Sequence, residues 1–298
     1  MKKIKFLGFL FLSIAVFAES DGSMKPFILA YIANTDLVTA ENEVKGKLTG
    51  SGFQIVGTHS PYDNVRLLVF TNDEIKSAAA GSNFGGYAAG QRVSLTKLND
   101  GVQVSYTNPT YMAHAYHLKN DLAGVTALLK KNLGFKEEYG PKDGSTVTKL
   151  KKYNYMVGME KFDDPVQLNE FESYEKAIQT IESNLSSRTS GVSKVYRIDI
   201  PGKKETVFGV SFIGSGNDGK CQDDRFIMTE IDFKPLRSSA HLPYEMLVSG
   251  NKSYALSARF RIAINFPDLS MMGKNSFMNI MCAPDGISGA LKKVSGKT

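Results

Sequence analysis

The feature that most limits what this chain can become is that its second half retells its first. An apolar strand, Phe27 to Ala33, leads into a helical stretch, Leu37 to Leu48, and then to two strands. A Gly-rich interruption follows, then a hairpin ending in Tyr106-Thr107-Asn108-Pro109 and a closing helix, Ala123 to Leu133. The later half reruns that order with Tyr155 to Met159, Tyr174 to Leu185, Val195 to Ile200 and Val207 to Ile213. A longer interruption, a hairpin ending in Ile264-Asn265-Phe266-Pro267 and a helix, Ile287 to Val294, complete the copy. A repeat on this scale implies two like domains that pack on each other as an internal pseudo-dimer.

Local chemistry supports the elements. Leu37, Ala40, Val44 and Leu48 recur at helical spacing, and Gly50 and Gly52 stop the run. Phe53 and Ile55 alternate with polar neighbours, whereas Arg66 to Thr71 is more continuously apolar, as a central strand would be. Asn99-Asp100-Gly101 between Val93–Leu98 and Val102–Tyr106 is a hairpin turn. Asn108 is placed to cap a helix with Pro109 at its first position. Strand pairs mixed with helices, without regular βα alternation, predict α+β domains with antiparallel sheets covered by helices. The expected division is 1–18 as a signal peptide, 25–135 as the first domain, 136–148 as a linker rich in turn formers, and 149–298 as the second domain.

The compartment follows from the N-terminus. Lys2, Lys3 and Lys5 precede an apolar run from Phe6 to Phe17, and Val16 and Ala18 supply small residues before a cleavage point after Ala18. A membrane span needs ~20 apolar residues, so this run reads as a cleavable signal and the mature chain as exported, periplasmic in a bacterium. The whole chain carries +6, and losing the three signal lysines leaves +3. With its Lys-Lys pairs scattered near helix ends, this charge reads as solvated ends that suit the helix dipole sooner than as a nucleic-acid footprint, and no nucleic-acid partner is expected. Cys221 and Cys282 are the two cysteines; in an oxidising compartment they can form one disulfide or stay as two thiols, and the sequence leaves both open.

The pattern resembles the DUF302 family, small α+β domains of unassigned function. The first half carries the resemblance at Gly52-Phe53-Gln54-Ile55, at Val102 to Pro109 and at Ala113. The second keeps Leu242-Pro243-Tyr244-Glu245-Met246-Leu247-Val248 and reads Asn265-Phe266-Pro267 where the family has Asn-Pro. These are turns and caps, so the resemblance implies a fold and transfers no catalytic residue.

Candidate chemistry is sparse. Gly214 to Gly219 fits G-x-G-x-x-G, but the polar, acidic residues that follow lack the helix stripe a dinucleotide site needs, so a loop is the better reading. Tyr111, His114 and His117 fall three apart after Pro109 and would share a helix face, with Tyr106 and Asn108 nearby as ligand-binding candidates. Imidazole and thioether suit copper, and imidazole also suits haem; Met112, His114, His117, Met278 and Met281 would form that centre between the halves. Met residues at such spacing are more often core fillers. The tyrosines at 106, 111 and 116 would line a pocket or form the seam between halves, and the seam is the stronger reading. Asp163-Asp164 and Asp223-Asp224 read as solvated loop charges. No hydrolase motif is present. The expected role is non-catalytic binding of a small molecule, metal or haem near the groove between halves. The alternative is a structural or partner-binding envelope protein.

Overall fold

The computed structural model describes residues 22–214 and 216–297; the expected signal peptide lies outside them. The first half runs β1 (Phe27–Ala33), α1 (Leu37–Gly50), β2 (Gln54–His59), β3 (Val65–Thr71), α2 (Asp73–Ala80), β4 (Gln91–Leu98), β5 (Gly101–Thr107), α3 (Pro109–Ala115), α4 (Ala123–Asn132) and β6 (Glu137–Tyr139). A short helix, α5 (Val147–Lys151), precedes the second half. That half runs β7 (Val166–Glu170), α6 (Tyr174–Ser186), β8 (Val192–Asp199), β9 (Glu205–Phe212), α7 (Gly216–Gly219), α8 (Asp224–Ile231), β10 (Tyr244–Ser249), β11 (Lys252–Ala255), α9 (Ala258–Asn265) and α10 (Ala283–Val294). Among the described residues, no helix is long and apolar enough to cross a membrane.

The fold is α+β, with two antiparallel sheets ordered β2-β3-β4-β5-β1-β6 and β7-β11-β10-β9-β8. Read from the other edge, the second sheet is β8-β9-β10-β11-β7, the order of the first five strands of its partner. The helices repeat too. Ala40, Val44 and Leu48 are buried on α1, and Ala177, Ile181 and Leu185 on α6, the same spacing on the same stripe. Asp36 caps α1 by accepting from the Val38 and Thr39 amides, and Ser173 caps α6 by accepting from the Lys176 amide.

Three expectations need correction. Tyr155 to Met159 forms no strand: Val157 is exposed and Gly158 takes a φ of +84°, so this apolar run is a surface turn and the strand comes later, at β7. Ile264-Asn265-Phe266-Pro267 does not end a hairpin but closes α9, a helix buried on nearly every side and so without the polar face that would mark it in the sequence. The expected linker contributes β6, which pairs with β1 at Phe27, Ile28 and Leu29, and so extends the first sheet.

The halves are interleaved. The segment between β3 and β4, with Gly85–Ala88, packs on β9 and β10 of the other half. In return Ser239–His241, between β9 and β10, packs on β3, β4 and β5. Gly86 shows how close this approach is: a Cβ there would sit 2.5 Å from a Leu247 methyl. At the sheet edges, a Cβ on Gly57 of β2 would lie 2.6 Å from the Val195 carbonyl of β8. One apolar cluster accordingly joins Val93, Tyr106 and Leu129 to Tyr196, Val207 and Leu247.

The seam is not wholly apolar. Arg92, Ser94 and Thr96 share one face of β4, all buried. The Arg92 guanidinium pairs with the Glu245 carboxylate on β10, whose other oxygen lies 3.3 Å from Arg261 Nε on α9. Arg261 further donates to the Tyr116 hydroxyl at 2.6 Å and to the carbonyls of His241 and Pro243. Tyr111 donates to the Ile264 carbonyl at 2.7 Å, so Tyr111 and Tyr116 bond across the seam, whereas Tyr106 bonds within the first half.

Cys221 and Cys282 are joined in a disulfide spanning 61 residues, which ties the segment after β9 to the start of α10. Two stability outcomes follow. Replacing both cysteines by Ala should lower stability by about 4 kcal/mol on the chain-entropy account, read as a drop in the urea midpoint; an unmoved midpoint refutes the tie. Glu245→Ala leaves two buried guanidiniums unpaired and should cost about 3–5 kcal/mol in the same measurement.

Candidate functional site

A groove of ≈ 810 Å³ lies between the halves, at the end of the first sheet where the β2–β3 and β4–β5 turns project. Its opposite wall is α8 and the loop after it. The turns are sequence-encoded: Asn99 and Asp100 form the tight connection, and Gly101 takes φ +143° with its missing Cβ clearing the Ala33 carbonyl by only 2.5 Å. On the facing wall, Asp223 caps α8 by accepting from the Phe226 amide at 2.9 Å.

The loop is locked onto the first sheet by a side chain acting as a strand would. Gln103 Oε1 accepts from the Arg237 amide at 2.9 Å while Nε2 donates to the Arg237 carbonyl at 2.7 Å. The Tyr139 hydroxyl donates to that carbonyl too, at 2.6 Å. With its backbone pinned in this way, Arg237 lines the groove.

Beneath it sits a network of hydroxyls around one carboxylate. Asp232 Oδ1 accepts from the Ser238 amide at 2.6 Å, and Oδ2 accepts from Ser239 Oγ at 2.9 Å. Thr96 Oγ1 donates to Ser239 Oγ at 3.4 Å, and the Tyr62 hydroxyl lies 3.5 Å from the same atom. Burial pushes the Asp232 carboxyl up to about 6, against the lowering effect of its hydrogen bonds and of Arg237. Burial also raises the Tyr62 phenol, helped by the Asp232 and Asp224 charges. Asp224 is 2 % exposed, accepts from the Phe212 amide, and is pushed well above the usual carboxylate range by burial. The expectation that Asp223-Asp224 are solvated charges therefore fails: one is a helix cap and the other is in the core.

The rim is charged. Arg225 is loosely paired with Asp63 at 3.9 Å, both exposed, so the pair is worth little in stability. Lys97 and Asp100 complete a lining of mixed sign, with Phe233 exposed beside them. The Tyr62 and Thr96 hydroxyls and the cations at the rim can together hold a polar molecule by hydrogen bonds and charge, over a floor fixed by Asp232 and Ser239. Among the described lining residues there is no histidine or cysteine.

The residues expected to bind a ligand serve the frame instead. Tyr106 donates to the Gly134 carbonyl at 2.9 Å, and Asn108 caps α3 and donates to the Lys25 carbonyl at 3.0 Å. Tyr111 crosses the seam. The helix ends at Ala115, so His117, at φ +52°, leaves the face shared by Tyr111 and His114. His117 Nδ1 instead lies 3.1 Å from Asp163 Oδ1, with its ring against Phe162.

The expected metal centre is not gathered. Met112 is buried in the apolar core and His114 is buried on α3, which packs against α4 and α5. Met278 and Met281 are exposed, in and just after the Phe277–Ile280 turn that packs against α8. Among the described residues, no group of three or more His, Cys, Asp or Glu is placed to hold a metal ion. Tyr62, Thr96, Arg225, Asp232, Arg237 and Ser239 went unrecognised in the sequence; each is an ordinary turn or loop residue until two distant segments meet.

No protein-family profile, curated protein or solved structure matches this chain.

The raised Asp232 carboxyl makes stability pH-dependent. The folded state holds this proton up to about pH 6 while the unfolded chain releases it near 3.8. Stability should fall as pH rises through that window, by on the order of 3 kcal/mol. Asp232→Asn should remove this slope; a variant that tracks the parent between pH 4 and 7 in urea titrations contradicts the assignment.

Proposed function

We propose that this chain is an exported binding protein, built from two DUF302-like modules packed as an internal pseudo-dimer, that holds a small polar molecule in the groove between them. The observation that carries this reading is the groove itself. Its walls come from opposite halves, and its floor is a buried carboxylate ringed by hydroxyls. Pockets that combine shape, a few convergent polar groups and a perturbed carboxyl are the usual places for a ligand.

The site favours binding over turnover. Ser239 is the hub of the hydroxyl network but is fully buried, and its neighbour Asp232 spends both oxygens on the loop that carries it. Neither group is presented to a substrate as nucleophile or base would be. Export is supported by the lysine-led apolar N-terminus and by a disulfide that suits an oxidising compartment.

The test is affinity selection. The purified mature protein is equilibrated with the small-molecule fraction of a bacterial envelope extract, and retained compounds are identified by mass. Parent protein should retain a compound that the double variant Lys97→Glu, Arg225→Glu holds at least tenfold less well. Both side chains are exposed at the rim, so the variant should keep its unfolding midpoint. Equal retention by the two proteins, or none by the parent, removes the groove as a binding site.

A further inference from the structure

The seam between the sheets holds more positive charge than its own residues neutralise. Arg92 and Arg261 are each 1 % exposed, and among the described residues Glu245 is the sole carboxylate paired with either. The neighbouring ionisable groups do not alter this balance. His241 is neutral, since burial and then the two guanidiniums push it well below its ordinary value. Its Nδ1 accepts from the Asn265 amide, leaving Nε2 to donate to the Tyr244 hydroxyl. Tyr196 and Tyr244 are raised by burial and stay protonated.

The remaining buried acids make no ion pair with either guanidinium. Asp224 accepts from Phe212, Asp232 from Ser238 and Ser239, and Glu205 from the Gly86 amide at 2.9 Å. Two cations and one anion therefore meet in this ion-pair cluster. Burial and the Arg261 charge push Arg92 down only to about 10, so it is charged at neutral pH. An unpaired buried charge costs several kcal/mol, and arginine does not escape that cost by releasing its proton.

A second observation points the same way. Arg92 Nε, the Ser94 hydroxyl and the Tyr196 hydroxyl are all buried without a hydrogen-bond partner. Arg92 and Ser94 lie two apart on β4 and so face the same way. Tyr196 interacts electrostatically with both guanidiniums, and Gly90 backs it so closely that a Cβ there would sit 2.8 Å from its hydroxyl. All three are groups able to donate. Buried polar groups in native proteins nearly always have a partner, and what suits a set of spare donors beside an excess cation is an acceptor carrying negative charge.

We propose that Arg92 and Arg261, with the Tyr196 and Ser94 hydroxyls, bind one monovalent inorganic anion of halide size between the two sheets. One such ion and Glu245 together balance the two guanidiniums. All four residues are buried, which suits a small ion, and none of them lines the groove. It stands whether or not the groove binds a ligand.

The test compares thermal unfolding of the full mature chain in sodium bromide and in sodium gluconate at equal ionic strength. The midpoint should rise with the logarithm of bromide concentration and stay flat in gluconate, as for an ion that binds the folded state alone. Arg92→Met, which leaves Arg261 and Glu245 as a neutral pair, should lose the bromide dependence, and Arg92→Lys should keep it. Crystals of the parent protein grown in bromide should show an anomalous peak within hydrogen-bonding reach of Arg92 Nε. That measurement decides the matter if either variant does not fold. A parent midpoint indifferent to bromide, an unchanged dependence in Arg92→Met, or no peak between the sheets overturns the proposal.

Discussion

The Glu245 carboxylate is the point on which the two halves depend. It reaches from β10 of one sheet to Arg92 on β4 of the other, and its second oxygen engages Arg261. Charges this deep are tolerated only when their partners are in place, so the register of one sheet over the other is held tightly. A slip that moved β10 by one residue would turn Glu245 toward α6 and α10 and put Met246 at the seam. Around this centre the packing is ordinary: Leu247, Val207 and Tyr196 fill one apolar cluster with Val93, Leu95 and Tyr106.

Reciprocity explains why the groove exists at all. Each half sends the segment between its third and fourth strands onto the inner face of the other's sheet. The two segments differ. The earlier one is shorter, with Gly85 against Ala79 of α2 and Gly86 against Leu247 of β10. The later one is longer, carries α8 and one end of the disulfide, and ends in the loop gripped by Gln103. The groove lies beside the longer segment, whose α8 and following loop form one of its walls. The polar floor follows, because the strand face it covers already carries Thr96, Gln103 and Ser105.

Much of the scaffold is legible without coordinates, and particular residues show why. Ala40, Val44 and Leu48 announce α1 by their spacing, and the Asn99-Asp100-Gly101 turn announces the β4–β5 hairpin, because both signals are local. Where the signal was ambiguous, burial decided otherwise. Tyr155 to Met159 reads as a strand but turns on Gly158 at the surface, and Ile264 to Pro267 reads as a hairpin end but closes a helix buried on nearly every side. The site was not legible. His117 appeared to extend a helix face, yet the helix ends two residues earlier, and its ring goes to Asp163 and Phe162.

What the sequence determined alone is the plan: an α+β chain in two halves of related element order, each with an amphipathic first helix. These depend on neighbours a few residues apart, whose periodicity and turn chemistry are written in order along the chain. What the tertiary structure decided is everything that joins residues far apart. The pairing of Cys221 with Cys282, the sharing of Glu245 by Arg92 and Arg261, and the meeting of Tyr62 and Thr96 with Asp232 and Ser239 are of this kind. Their chemistry comes from burial and from distances across the seam, and neither is a property of any short stretch of the polypeptide.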